Sequence, residues 1–123
     1  MPKKILVVDD KANIVLSLEF LMKQAGYDGR TASDGEEALA AIDADPPDLI
    51  LLDVNMPTKN GFEVCETVRA RNEWSHIRII MLTAHGRDIE REKGLALGAD
   101  DYLTKPFAIR EVVSKVQELL EQS

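Results

Sequence analysis

Hydrophobic residues in this chain fall into short unbroken runs, and four of these runs each end in a polar residue able to do chemistry. Ile5-Leu6-Val7-Val8 leads into Asp9-Asp10, Leu49-Ile50-Leu51-Leu52 into Asp53, Ile79-Ile80-Met81-Leu82 into Thr83, and the shorter Tyr102-Leu103-Thr104 into Lys105. Apolar runs without alternation belong to strands covered on both faces, as in a parallel sheet sandwiched by helices. A fifth, short strand is expected at Arg30 to Ala32.

The segments between the runs have helical spacing. Ile14, Leu18, Leu21 and Ala25 recur at steps of three and four, and Gly26 follows as a stop. Ser33 and Glu36 have capping-box spacing ahead of Ala38, Leu39 and Ile42, and Pro46-Pro47 ends that helix. A third helix starts near Gly61 and turns Phe62, Cys65 and Val68 toward the core, before a polar stretch from Arg71 to Ser75. The fourth, roughly Arg87 to Leu97, has only Ile89, Ala96 and Leu97 as apolar members among many charges. In the fifth, Ile109, Val112, Val113, Val116, Leu119 and Leu120 make a well-defined stripe. Five strands alternating with five helices predict an α/β fold with a doubly wound parallel sheet.

A chain of 123 residues fits one domain, here spanning 1–123, without internal repeat or linker. The net charge of -7 opposes direct binding to nucleic acid or anionic lipid, which needs a basic face. The single cysteine, Cys65, leaves no partner for an internal disulfide and suits a reducing compartment. Lys3-Lys4 and the apolar run after it are cut short by Asp9-Asp10, too soon for a signal sequence, and no run reaches membrane-spanning length. The cytoplasm is the expected address.

Parallel sheets place their ligands at the carboxyl ends of the strands, so the runs would gather three carboxylates, a hydroxyl and an ammonium at one edge. Magnesium takes oxygen ligands, commonly one or two carboxylates together with a phosphate oxygen. Asp9, Asp10 and Asp53 supply the carboxylates, and their mutual repulsion calls for a cation or for Lys105 beside them. Asp53, alone after the central run, is the best nucleophile, because a carboxylate can accept a phosphoryl group as an acyl phosphate. Lys105 and Thr83 would hold phosphoryl oxygens, with backbone N–H groups completing the cradle. Taken singly each member has a plainer reading: a lone Asp after a strand is more often a cap, a lone Thr a strand former, and Asp9-Asp10 a solvated turn capping the first helix.

Taken together, these residues resemble a response-regulator receiver domain of two-component signalling, over essentially the whole chain. The resemblance rests on Ile5-Leu6-Val7-Val8-Asp9-Asp10, on Asp53-Val54-Asn55-Met56-Pro57 with Gly61 after it, on Leu82-Thr83-Ala84, and on Gly98 to Phe107. It implies a flavodoxin-like (βα)5 sheet in the order 2-1-3-4-5. It implies Asp53 as phosphoacceptor and Asp10 as a direct ligand of magnesium, or of manganese in its place. Asp9 would act largely through a coordinated water, and the backbone carbonyl of Asn55 would be a further ligand. Thr83 and Lys105, with backbone N–H groups of Asn55 and Ala84, would bind the phosphoryl group. The Lys105-Pro106 peptide would be cis. Tyr102 would be a switch aromatic, turning from an exposed position into space vacated when Thr83 is drawn toward the phosphoryl group.

The same resemblance implies a regulatory domain rather than an enzyme, with self-catalysed phosphorylation and autodephosphorylation only. Its phosphodonor would be a sensor histidine kinase or a histidine phosphotransfer protein, and its output a protein target or a homodimer through the helix-four, strand-five, helix-five face. Thr58-Lys59-Asn60 and Arg78 depart from the commonest family pattern without touching the acceptor chemistry. Asn55 and His85, each two residues beyond Asp53 or Thr83, are expected to tune the lifetime of the acyl phosphate. His76 and His85 are poor candidates for metal ligands, and Trp74 is either a packing lid or part of a partner surface. With no output segment in view, the chain reads as a stand-alone regulator or as a receiver cut from a longer transcription regulator or hybrid kinase. A module that signals by binding alone is the alternative. A related phosphatase would need Asp-x-Asp after the first strand, and a nucleotide binder a Gly-rich loop there; Asp9-Asp10-Lys11-Ala12-Asn13 is neither.

Overall fold

The computed structural model describes residues 2–84 and 88–121. Strands and helices alternate throughout: β1 (Lys4–Val8), α1 (Ala12–Gln24), β2 (Asp28–Ala32), α2 (Gly35–Ala44), β3 (Leu49–Asp53), α3 (Gly61–Arg69), a 3-10 turn (Asn72–Trp74), β4 (Arg78–Ala84), α4 (Asp88–Ala96), β5 (Asp101–Lys105) and α5 (Ile109–Glu121). The strands form one parallel sheet in the order β2-β1-β3-β4-β5.

Because side chains alternate across a strand, the apolar runs split between two cores. Leu6, Val8, Ile50, Leu52, Ile79 and Met81 face α2 and α3, where they meet Ala38, Ile42, Val64, Cys65 and Val68. Ile5, Val7, Leu49, Leu51, Ile80, Leu82 and Leu103 face α1 and α5, meeting Leu18, Met22, Val112, Val116, Leu119 and Leu120. Trp74 is 4% exposed in the first core, which settles its role as packing. Burial first of all pushes the Cys65 thiol up to about 11, so this cysteine is an inert core residue.

Three local expectations are corrected. The second strand starts at Asp28, two residues before the apolar signal, because Lys4 and Ile5 of β1 pair with Asp28 and Gly29. The α2 cap is Asp34, whose carboxylate accepts the Glu37 N–H at 2.8 Å, while the Glu37 carboxylate takes the N–H and hydroxyl of Ser33. The cap is thus Asp34 rather than Ser33, and the carboxylate that reaches back is Glu37 rather than Glu36. In α4 the face turned inward is Glu90 and Gly94; Ile89 is 79% exposed and Ala96 is also exposed. The helix lies close to β4 at Gly94, where a Cβ would sit 3.0 Å from Met81 Cγ, and that approach fixes a rotation that turns Ile89 out.

An ionic knot anchors the chain just after α4. Asp100 accepts from Arg69 at 2.9 Å, from Arg78 at 3.2 Å and from the Ile79 backbone at 2.8 Å, and Arg69 also donates to the Gly98 carbonyl at 2.8 Å. Among the described residues, no helix is long and apolar enough to cross a membrane.

Candidate functional site

The register of the sheet brings the predicted residues to its carboxyl edge. Val8 pairs with Leu52, Asp53 with Leu82, and Ala84 with Lys105, so Asp9, Asp53, Thr83 and Lys105 all emerge at one level. Carboxylate oxygens of Asp9, Asp10 and Asp53 lie within 4.8 Å of one another. Asp9 and Asp53 are buried and Asp10 is solvent-exposed.

Lys105 crosses the cluster. Its ammonium donates to Asp9 Oδ2 at 2.8 Å and stands 3.3 Å from Asp53 Oδ1. The other Asp9 oxygen accepts the Lys11 N–H at 2.9 Å, so Asp9 pins the turn into α1. It does not cap that helix, whose N-cap is Lys11 without a side-chain bond. Asp53 Oδ1 also takes the Asn55 N–H at 3.3 Å, whereas Asp53 Oδ2 is buried and finds no hydrogen-bond partner among the described residues. One Asp53 oxygen is held and the other is open to a ligand. A buried carboxylate oxygen left bare is costly, and a cation with oxygen affinity is the ligand that suits it beside two more carboxylates.

Electrostatics agree. Burial, then the neighbouring Asp9 charge, raises Asp53 from 3.8 to about 6, with Lys105 pulling the other way. Burial alone would lower the Lys105 ammonium, but its hydrogen bond to Asp9 and the charges of Asp53 and Asp9 leave it raised. The pair therefore stands as carboxylate and ammonium at neutral pH, with the anion desolvated.

Thr83 is 1% exposed, and its hydroxyl donates to the Leu103 carbonyl on β5 at 3.5 Å rather than to any carboxylate. Asn55 and Ala84 are exposed at the ends of the β3 and β4 segments. The Lys105-Pro106 peptide is cis. Tyr102 is half-buried rather than exposed: the Arg91 guanidinium lies 4.7 Å and the Lys115 ammonium 5.7 Å from its ring centre. His85 lies outside the described residues.

Two positioning features escaped the sequence reading. Asn60 and Glu63 form a full capping box on α3, at 3.0 Å in each direction, and Asn60 followed three residues later by Glu63 was the signal for it. Gly61 sits against the Asp53 backbone, where a Cβ would collide with the Asp53 carbonyl and come within 2.9 Å of Val54 Cα. The loop after Asp53 is thereby closed onto the start of α3. Shallow clefts flank the cluster, one lined by Asp9, Asp10, Leu16, Thr31 and Glu37 and the other by Asn13, Ile14, Lys105, Pro106 and Phe107.

Known proteins resemble this chain in sequence and fold. The family model for the response regulator receiver domain matches residues 5–117. The chain is 49% identical over its 123 residues to the alkaline phosphatase synthesis transcriptional regulatory protein PhoP of Bacillus subtilis, of which it spans 50%. Among solved structures, a putative response regulator from Chloroflexus aurantiacus superposes with a TM-score of 0.95 at 38% identity, covering 98% of this chain and 99% of that one. The chemotaxis protein CheY4 of Vibrio cholerae superposes at 0.90 with 35% identity, covering 97% and 99%.

Proposed function

The chain belongs to the response-regulator receiver domain family, and from that premise we propose that Asp53 takes a phosphoryl group from a phosphohistidine of a sensor kinase or phosphotransfer protein. One observation carries this reading: a buried carboxylate oxygen, Asp53 Oδ2, left bare beside two other carboxylates and the Lys105 ammonium.

In the transfer, an Asp53 oxygen bonds to phosphorus as the P–N bond breaks, and the departing imidazole takes up a proton. Asp53 is ionised for this at neutral pH, since its pKa is about 6. Lys105 is already in place to bind a phosphoryl oxygen. The Thr83 hydroxyl, released from Leu103, and the N–H groups of Asn55 and Ala84 provide further donors. The transferring group spreads charge over its oxygens, so the work of these residues is positioning and charge stabilisation. Magnesium, or manganese, would be held by Asp9, Asp10, Asp53 and the Asn55 carbonyl, and would neutralise that charge. Asn55 and His85 set the rate at which water resets Asp53.

Phosphorylation is then read out by the α4, β5 and α5 face through Thr83 and Tyr102, with a protein target or a second copy as partner. The chain spans half the length of the PhoP relative. Its place of action is the cytoplasm.

Intact mass after incubation with magnesium and acetyl phosphate tests the reading. A gain of one phosphoryl group in the wild type, absent in Asp53→Asn, is the expected result. An adduct that persists in Asp53→Asn, or none in the wild type, overturns it, and the latter would favour a module that signals by binding alone.

A further inference from the structure

Tyr102 sits at the meeting point of three elements, and its ring is in contact with a cation from each of the two helices beside it. Arg91 of α4 lies 4.7 Å from the ring centre and Lys115 of α5 lies 5.7 Å from it. Neither cation is free to wander. Arg91 is held at 3.2 Å by Asp88 one turn earlier, and Lys115 at 3.1 Å by Asp101, whose other oxygen accepts the Tyr102 N–H at 2.8 Å. The Thr83 hydroxyl is turned to the Leu103 carbonyl rather than to any carboxylate, and the half-buried Tyr102 ring packs against the edge of the first core.

We propose that Arg91, assisted by Lys115, is a positioning residue that brackets the Tyr102 ring in the resting state and so opposes the change that follows phosphorylation. This deepens the switch reading above and rests on it. For the ring to turn inward it must leave the face of Arg91, and the loss of that contact is charged against the active state alone. Cation–π contacts at partly exposed sites correspond to roughly two- to five-fold in an equilibrium constant. A ligand that selects the turned state therefore binds more weakly by about that factor while the bracket is intact.

The test uses the chain labelled with fluorotyrosine. It has two tyrosines, and a Tyr27→Phe variant assigns the Tyr102 resonance. Arg91→Gln is expected to move the Tyr102 fluorine signal and leave that of Tyr27, and to lower the beryllofluoride concentration at half-saturation in magnesium by roughly two- to five-fold. Arg91→Lys should restore much of the wild-type value, and Arg91→Gln should have no effect on half-saturation in a Tyr102→Ala background. An unmoved Tyr102 signal, an unchanged half-saturation, or an effect that survives in Tyr102→Ala overturns the bracket. If beryllofluoride fails to bind the wild type, the fault lies with Asp53 as acceptor, and the fluorine signal alone then decides whether Arg91 positions the ring.

Discussion

Replacing Asp53 by Asn should stabilise the fold, although it removes the residue the site is built around. Burial and the Asp9 charge raise Asp53 from 3.8 to about 6. An acid whose pKa is raised by folding contributes stability that is complete below its unfolded value and is lost as pH rises through the folded value. A rise of about two pH units corresponds to about 3 kcal/mol. At about pH 8, without metal, the wild type carries that whole burden, and Asn at this position carries none. The attraction of Lys105 is already contained in the value of about 6, and the substitution leaves Lys105 its nearer partner, Asp9, which it bonds at 2.8 Å in the wild type. The expected gain is thus about 3 kcal/mol, or on the order of 10 °C in midpoint for a chain of this size. Urea unfolding in chelator checks it at about pH 8 and about pH 4, where the gap should be present and then absent. Magnesium, by binding the folded wild type, should narrow the gap at about pH 8. A gap that is missing at high pH, or that is the same at both, would refute the electrostatic account.

Three further substitutions test how the site is held. Gly61→Ala sets a methyl against the Asp53 carbonyl and should cost about 2–4 kcal/mol in urea unfolding together with loss of the acetyl phosphate adduct; wild-type stability would show that the loop gives way freely. Thr58 has φ 65, a conformation that disfavours a β-branched residue, so Thr58→Gly should raise stability by roughly 0.5–1 kcal/mol; a loss would mean that its 3.4 Å contact with the Glu36 N–H outweighs the strain. Asp100→Asn leaves Arg69 and Arg78 without their shared anion and should cost about 1–3 kcal/mol, discounted for the partial exposure of the knot; an effect abolished in high salt would mark it as a surface pair only.

How much was legible in the sequence depended on how deeply each element is buried. β1, β3 and β4 are covered on both faces, so their order of apolar residues specifies them without ambiguity, and the polar residue closing each run reaches the carboxyl edge by necessity. β2 is an edge strand of Asp28-Gly29-Arg30-Thr31-Ala32, whose composition is set by solvent and by close approach to α1, so its first two residues gave no signal. Spacing alone suggested Ser33 as cap, because it does not say which of two adjacent polar residues takes the extended backbone; Asp34 does. In α4 an apolar count pointed to Ile89, whereas the rotation is decided by the lack of a side chain at Gly94. Distances were beyond reach altogether: that Lys105 bonds Asp9 more closely than Asp53, and that one Asp53 oxygen stays bare, follows from the twist and register of the sheet.

The same numbers bear on how the proposed switch would work. A conformational change follows from phosphorylation only if the new group interacts differently with the two states. Lys105 would not discriminate, since it stands beside Asp53 already. Thr83 would: its bond to Leu103 is long at 3.5 Å and neutral, whereas a bond to a phosphoryl oxygen is charge-assisted. The exchange of one for the other favours the new state by about 1–2 kcal/mol. Against it stand the cation contacts of Tyr102, about 0.5–1 kcal/mol for the closer one. On the proposed switch these two terms are of similar size and opposite sign. The element between them, α4, has only Glu90 and Gly94 buried, while the Asp100 knot fixes the chain just beyond it. On the proposed switch, a small preference at Thr83 would act on a lightly packed helix and leave alone the two cores beneath the carboxylates.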